Sequence, residues 1–220
     1  MKDLMQEYKD IKHLFEIKDM CLSGNPINNH QWVVIYPPTI DWDYMRQRPQ
    51  QLMEQFSMNG YEVYYCNKTQ SKVKLFTEIN SNLRIIHNNS CFVRDIVPEL
   101  KRMGKRIILW VSWSKLHIFL DAYSPDFIVY DYLDDFDAWR PYLKPMIEKS
   151  NIVITTSKIL MKQMADEYPQ KPSIMVPNGC DIKRFRLKKN IEKPPEFIDH
   201  EGPVITYSGA WASWIDVKLV

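Results

Sequence analysis

The sequence has little glycine and none of the glycine patterns that bind dinucleotides. Six glycines occur among 220 residues. No G-x-G-x-x-G run follows an apolar segment, so the fingerprint of a nicotinamide-dependent Rossmann enzyme is absent. A redox nucleotide enzyme is therefore disfavoured.

Cysteine is also scarce and dispersed. The four cysteines are Cys21, Cys66, Cys91 and Cys180, and no two of them form a C-x-x-C pair. This spacing argues against a cysteine metal site and against a disulfide framework. Four scattered thiols are more typical of a reducing compartment, so we expect a cytoplasmic protein.

Neither a strong charge nor a long apolar run is present. Lys and Arg number 29 against 27 Asp and Glu, for a net charge of +2, which predicts no nucleic-acid partner. The charged start at residues 1–4 is unlike a secretory signal. The longest strongly apolar run, residues 107–111, is far shorter than the roughly 20 residues of a membrane span.

Residues 1–30 form a segment of their own. Leu4, Tyr8, Ile11 and Phe15 recur at helical spacing. A membrane-surface helix favours basic residues on its polar face, whereas the opposite face here mixes acidic and basic residues. We therefore predict a helical extension docked on its own protein.

From residue 31 onward, short β-rich runs alternate with helical patterns. Residues 32–36 and 61–66 predict two strands, and a helix is predicted between Pro49 and Gly60. Further strands are predicted over 83–87, 106–111, 127–130, 151–155 and 174–176, and helices over 93–103, 114–122 and 157–167. This alternation predicts an α/β fold with a doubly wound, mostly parallel sheet over residues 31–185.

The last part of the chain has a different composition. Residues 186–202 contain Pro194-Pro195 and read as a linker. Residues 203–207 predict a strand, and a helical pattern begins near Ser213. One strand and one helical turn cannot bury a core, so we expect residues 203–220 to be the start of an incomplete second domain.

Polar loops are predicted at the carboxyl ends of the strands, where open parallel sheets bind ligands. The first loop, residues 37–48, combines aromatic and charged side chains that suit a polyol or a phosphate-bearing ligand. They are Asp41, Trp42, Tyr44, Arg46 and Arg48. A loop that only caps the sheet explains the same residues equally well.

An acidic stretch follows the predicted strand 127–130. It holds Asp131, Asp134 and Asp135, with Asp137 close behind. Carboxylates this close raise one another's pKa, which suits a general base. The alternatives are hydrogen bonding to sugar hydroxyls or capping of the next helix. No phosphate-binding loop accompanies them, so we predict no metal site.

Two further strand ends carry weaker signals. Ser157 opens a predicted helix, where its hydroxyl is expected to cap the helix and the amide groups offer an alternative anion site. Asn178-Gly179 predicts a tight turn after a strand.

Taken in order, these segments resemble the amino-terminal half of a GT-B glycosyltransferase, close to glycosyltransferase families 4 and 1. The matching pieces are residues 48–52 (RPQQL), 60–63 (GYEV), 130–135 (YDYLDD), 154–157 (ITTS), 176–181 (VPNGCD) with Phe185, and 207–210 (YSGA) with Trp214 and Asp216. The resemblance covers residues 31–220.

The resemblance implies two Rossmann-like domains and a sugar transfer in surface polysaccharide synthesis. The loop with Asp41 to Arg48 would line the acceptor side. Asp131, Asp134 and Asp135 would bind or deprotonate an acceptor hydroxyl. Asn178, Gly179 and Asp181 would shape the domain junction, and Gly209 and Trp214 would meet the donor.

The resemblance also implies the partners. These are a nucleotide-sugar, used as substrate, and a glycan or lipid-linked acceptor, with no cofactor and no metal. The expected location is the cytoplasm, with peripheral contact to the membrane left open, as is the oligomeric state.

Two departures from the family pattern matter. Pro37-Pro38 stands where a Gly-Gly pair is usual, and the acidic motif of the second domain has no counterpart. We therefore expect residues 1–220 alone to be inactive. The alternative is a non-catalytic acceptor-binding or scaffold module that works with a separate donor-domain protein.

Overall fold

The computed structural model describes residues 31–182, 186, 192–209, 211, 215–216 and 218. The chain divides into two compact units, Met1–Asn178 and Gly179–Val220. The helix predicted over residues 1–30 lies outside the described residues. No helix in the described part is both long enough and apolar enough to cross a membrane.

The first unit is built on one eight-stranded sheet with the order β3-β4-β2-β1-β5-β6-β7-β8. All neighbouring pairs are parallel except β3–β4. The strands are β1 (Trp32–Tyr36), β2 (Glu62–Cys66), β3 (Phe76–Asn80), β4 (Leu83–Ile86), β5 (Arg106–Val111), β6 (Phe127–Tyr132), β7 (Ile152–Thr155) and β8 (Ser173–Met175). The predicted α/β class and mostly parallel sheet are confirmed.

Helices connect the strands. They are α1 (Arg48–Met58), α2 (Asn89–Cys91 and Val97–Arg102, joined by a π-helical turn at Phe92–Ile96), α3 (Arg140–Lys149) and α4 (Lys158–Glu167). Single 3₁₀ turns occur at Ser114–Ile118, Leu120–Tyr123, Asp137–Trp139 and Pro195–Phe197.

The ends of α1 follow from its sequence. Pro49 lies in the first turn, where its missing N–H costs no hydrogen bond and its fixed φ favours a helix. Gly60 has a φ of +84°, a left-handed conformation that ends the helix and that glycine adopts without strain. The boundaries of α1 were therefore predictable.

The two faces of the sheet have separate cores. Alternate strand residues point to opposite faces. One face carries Val34, Tyr36, Trp110 and Val129 and packs against Met53 of α1. The other face packs against α2, α3, α4 and the 3₁₀ turns after β5. Helices thus cover both faces, as a doubly wound sheet requires.

Four details differ from the sequence prediction. Strand β3 and helix α3 were not predicted, and β6 continues through Asp131 to Tyr132. Residues 203–207 form no strand, so that prediction was wrong.

Candidate functional site

The carboxyl edge of the sheet has a switch point between β1 and β5. From β1 the chain moves to β2 on one side, and it later returns to add β5 on the other side. Loops that leave neighbouring strands in opposite directions leave a crevice, and ligands of open α/β sheets bind there. Of the predicted site residues, those of the loop after β1 and those at the end of β6 lie at this edge of the sheet.

Asp131 lies in strand β6 and forms a buried ion pair. Its side chain is 1% exposed and that of Arg48 is 10% exposed, with 2.9 Å between Arg48 Nε and Asp131 Oδ2. Arg48 Nη2 also donates to Asp131 Oδ1 at 3.1 Å, so the contact is bidentate. Trp110 Nε1 donates to Oδ2 at 3.1 Å. Asp131 is therefore engaged by three N–H groups.

Register explains this arrangement. Trp110 pairs with Val129 across β5 and β6, so Trp110 and Asp131 lie diagonally on the same face, the one covered by α1. Burial raises the pKa of Asp131, although the hydrogen bonds and charge of Arg48 act in the opposite direction. Sequence reasoning missed Trp110; the signal was an indole N–H in a buried run that needs an acceptor.

The Arg48 guanidinium also reaches the last residues of the first unit. Its Nη1 donates to the Pro177 carbonyl at 3.2 Å and to Asn178 Oδ1 at 3.3 Å. One side chain thus joins the start of α1, strand β6 and residues 177–178. This contact gives Arg48 and Asn178, both predicted as substrate-binding residues, a structural role in the described unit.

Asp134 and Asp135 lie on the other side of β6. They line a shallow pocket that also includes Ser114, Tyr130, Tyr132 and Arg140. Asp135 is paired with Arg140, at 2.7 Å between Oδ2 and Nη2. The structure therefore brings Asp134 and Asp135 together, but it directs Asp131 away from them to the opposite face.

Asp134 differs from its acidic neighbours. Among the described residues its carboxyl has no hydrogen-bond or ion-pair partner. Desolvation raises its pKa above the ordinary value. A raised pKa makes a carboxylate a stronger base.

The loop after β1 is held by its own polar groups. Asp41 accepts two hydrogen bonds from Thr69, at 2.7 Å from the backbone N–H and 2.6 Å from the hydroxyl. Desolvation would raise the pKa of Asp41, but the Thr69 hydrogen bonds and the Lys68 charge outweigh it and lower the pKa. Arg46 pairs with Glu54 and lies over the Trp42 ring at 5.9 Å.

Tyr44 is the exposed member of this loop. Its side chain is 73% exposed, so it is free to meet a ligand, unlike Asp41 and Trp42. Trp42 packs edge-on against Tyr65 with 5.1 Å between ring centroids. Most of the predicted acceptor loop therefore secures the loop itself, which favours the capping interpretation for those residues.

Gln50, in the first turn of α1, holds this loop in place, and sequence reasoning did not single it out as a site residue. It is fully buried. Its Nε2 donates to the Met45 carbonyl at 2.9 Å and to the Asp41 carbonyl at 3.3 Å, and its Oε1 accepts from the Gln47 N–H at 3.1 Å. A buried polar side chain with three partners fixes the loop relative to α1.

A second buried connection involves Asn67 and His87. Asn67 Oδ1 accepts a hydrogen bond from the backbone N–H of Trp42 at 2.9 Å, so Asn67 Nδ2 faces His87 Nδ1 at 3.3 Å. His87 Nε2 lies 2.7 Å from Thr77 Oγ1. This pattern of hydrogen bonds requires a neutral His87 imidazole that accepts at Nδ1 and donates at Nε2.

The remaining predicted residues lie elsewhere. Ser157 Oγ accepts the Leu160 N–H at 3.3 Å, which confirms helix capping. Gly179, Asp181 and Gly209 belong to the second unit, where a Cβ on Gly209 would approach the Tyr207 hydroxyl to 2.6 Å. Trp214 lies outside the described residues.

No cluster of three or more metal-ligating side chains occurs in the ranges that the structure describes. The acidic stretch therefore offers no cage of side chains there, because Asp131 and Asp134 face different sides of β6.

No protein-family model matches the chain, and no curated protein matches it. Among solved structures, the chain is similar to sucrose-phosphate synthase from Thermosynechococcus elongatus, with a TM-score of 0.50 and 14% sequence identity. The match covers 70% of this chain and 93% of that chain. At this identity the likeness shows the fold alone: an α/β Rossmann-like sheet that also occurs in a glycosyltransferase.

Proposed function

We propose that the protein is a glycosyltransferase of the GT-B type and that its first unit binds the acceptor. The observation that carries the proposal is Asp134, an unpaired carboxyl with a raised pKa in a pocket at the carboxyl edge of the sheet. The fold likeness to sucrose-phosphate synthase supports a transferase of sugars.

The chemistry assigned to Asp134 is proton abstraction. The acceptor hydroxyl would donate to its carboxylate, and the acceptor oxygen would attack the anomeric carbon of the donor as the bond to the nucleoside diphosphate breaks. The proton ends on Asp134 and the electron pair on the leaving diphosphate. A pKa raised by desolvation makes the carboxylate a stronger base in this step.

The neighbours of Asp134 would orient the acceptor. Asp135 is held by Arg140, so it would accept hydrogen bonds from sugar hydroxyls without taking the proton. Tyr44 is exposed in the loop after β1 and would pack against the acceptor. Asp131 would act only through Arg48, as a positioning residue.

The donor is assigned to the second domain. We propose a nucleotide-sugar as donor, with Gly209 and Trp214 near its phosphates and Gly179 and Asp181 near the domain junction. The pathway we favour is surface polysaccharide synthesis, with a glycan or lipid-linked acceptor, in the cytoplasm or at the inner face of the membrane.

The test is nucleoside diphosphate release by the protein expressed from its complete reading frame, with a panel of UDP- and GDP-sugars and oligosaccharide acceptors. Asp134→Asn should lower kcat by about 10²–10⁴-fold, the usual contribution of a general base. Asp135→Asn is the matched control, because that carboxylate is already paired with Arg140, and it should change kcat only a few-fold.

The pH profile separates a base from a hydrogen-bond acceptor. If Asp134 takes the proton, the acidic limb of kcat/KM should disappear in Asp134→Asn. Equal activity of Asp134→Asn and Asp135→Asn would contradict the proposal that Asp134 is the general base. Acceptor binding without any diphosphate release would favour the non-catalytic acceptor-binding module instead, as would absence of UDP- or GDP-sugar binding in calorimetry.

A further inference from the structure

A cluster of basic and aromatic side chains lies at the switch point beside the proposed base. It is formed by Lys68 in the loop after β2 and by Trp113 and Lys115 after β5. None of the three was a predicted site residue. We call it the lysine–tryptophan cluster.

The ends of the two strands at the switch point are joined by a side-chain hydrogen bond. Tyr36 ends β1, and Ser112 follows β5. Their hydroxyl groups lie 2.5 Å apart in the buried interior. Burial raises the pKa of Tyr36 to about 12, so this pair stays neutral.

Both lysines are held by one aromatic ring. Lys68 Nζ lies 5.5 Å and Lys115 Nζ 5.9 Å from the centroid of the Trp113 ring. Lys115 Nζ is also 5.4 Å from the Tyr142 ring. The ring quadrupole attracts ammonium groups over its face, so Trp113 holds one cation from each of two different loops within 6 Å of its ring.

These two cations lack the counter-ions that most basic side chains of the first unit have. Neither Lys68 nor Lys115 has a carboxylate at ion-pair distance among the described residues. By contrast, Asp or Glu partners are present for Arg46, Arg48, Arg94, Lys101 and Arg140. The Lys68 charge lowers the pKa of Asp41, but the Asp41 carboxylate accepts hydrogen bonds from Thr69 and forms no ion pair with Lys68.

The cluster adjoins the acid pocket. Ser114, between Trp113 and Lys115 in the sequence, lines the pocket that contains Asp134 and Asp135. A ligand that reaches both places would present a hydroxyl to the carboxylate and an anionic group to the lysines. Two ammonium groups that contact the same ring and have no carboxylate at ion-pair distance among the described residues fit an anion as ligand.

We propose that Lys68 and Lys115 bind an anionic group of the acceptor, a carboxylate or a phosphate, and that Trp113 is the positioning residue that holds them. The inference rests on the proposed function, because it names the acceptor of that same site as an acidic sugar. The carboxylate of a uronic acid and the phosphate of a sugar phosphate share the chemistry that the cluster recognises.

Calorimetry with three probes tests the proposal: a glucuronate-containing disaccharide, its neutral glucose counterpart and glucose 1-phosphate. At least one charged probe should bind at least tenfold more tightly than the neutral disaccharide, and its affinity should fall with added salt. The tighter of the two charged probes identifies the anionic group.

Lys68→Gln and Lys115→Gln should each lower the affinity for the charged probe several-fold, and the double variant should remove its advantage over the neutral probe. Lys144→Gln is the matched control, because Lys144 lies on α3 and faces Glu148 at 3.9 Å. It should bind as the parent protein does. Circular dichroism confirms that each variant is folded.

Three results would overturn the proposal: equal affinity for charged and neutral probes, no binding of any probe, or a charged-probe affinity that survives the double substitution. Its failure is separable from failure of the transferase proposal. Lysine-dependent binding of a charged probe without diphosphate release would support the anion subsite and contradict the transferase proposal. Diphosphate release with neutral acceptors alone would support the transferase proposal and contradict the anion subsite.

Discussion

The two sides of strand β6 use their carboxylates differently. On the side of α1, Asp131 is 1% exposed and joined to Arg48 and Trp110. On the opposite side, Asp134 lines a shallow pocket and has no partner among the described residues. Three positions along the chain therefore separate a carboxylate in a buried ion pair from one that has no partner among the described residues.

This difference shows how a strand divides an acidic stretch. The acidic residues between 131 and 137 look like one cluster in the sequence, but Asp131 still lies in β6, whereas Asp134 and Asp135 follow after the strand has ended at Tyr132. Charge density along the chain is therefore a poor guide to charge density in space. The carboxylates have different partners: Arg48 of α1 and Trp110 of β5 bind Asp131, whereas Arg140 of α3 binds Asp135.

The largest effect should come from breaking the buried pair. Arg48→Ala leaves Asp131 charged and buried, and we expect the free energy of unfolding to fall by about 3–5 kcal/mol. Urea denaturation followed by circular dichroism measures it. Arg140→Ala, which breaks the exposed pair with Asp135, should leave the urea midpoint almost unchanged.

A double substitution sharpens this prediction. Arg48→Met combined with Asp131→Leu removes both charges, and replacement of a buried ion pair by apolar groups is often close to neutral. The double variant should therefore be more stable than Arg48→Ala. Equal losses in Arg48→Ala and Arg140→Ala would mean that the two sides of β6 do not differ as described.

A smaller effect on stability should appear when His87 is protonated. Burial lowers the pKa of His87, the charge of Lys74 acts in the same direction, and Asp43 and Asp41 act in the opposite one. The unfolded state keeps the ordinary pKa of about 6.5. As the pH falls below that value the unfolded state takes up the proton first, so stability should fall.

Urea midpoints at pH 7.5, 6.0 and 5.0 measure this loss, and His87→Gln is the control. The variant should lose the part of the pH dependence that His87 contributes. An unchanged slope of stability against pH in His87→Gln would show that the link from Asn67 to Thr77 does not depend on a neutral imidazole.

The smallest effect on stability should come from the free carboxyl. Desolvation raises the pKa of Asp134, so the folded state binds a proton more readily than the unfolded state, and ionisation at neutral pH costs stability. Asp134→Asn removes that cost. Its free energy of unfolding at pH 7 should stay within about 0.5 kcal/mol of the parent or rise.

Thermal and urea denaturation at pH 7 measure this, in parallel with the activity assay. A clear loss of stability in Asp134→Asn would place Asp134 on the structural side of the comparison with Asp131, and any loss of turnover would then follow from unfolding.

Much of the fold was predictable because local patterns agree with it. The apolar run at β1, Pro49 and Gly60 at the ends of α1, and Ser157 at the start of α4 each act through neighbouring residues. Helix α3 was missed because Pro145 lies inside it, and interior proline disfavours a helix. Strand β3 is largely exposed, so it lacks the apolar alternation that predicts strands.

The site was less predictable because its contacts join distant residues. Asp131 was expected in a loop, since a charged residue usually ends an apolar strand, and only Arg48 and Trp110 make its burial tolerable. The separation of Asp131 from Asp134 depends on where β6 ends. The strand prediction for residues 203–207 was wrong for a similar reason. The apolar residues there fit a strand, but a strand also needs a neighbouring strand to pair with.

The contacts of Arg48 also set an order of events during synthesis. Asp131 follows it by 83 positions and Asn178 by 130. At a ribosome speed of about 5–20 residues per second, Arg48 waits roughly 4–17 s for Asp131 to appear. Until β6 is made, the Arg48 guanidinium therefore lacks the buried carboxylate that it pairs with in the folded protein.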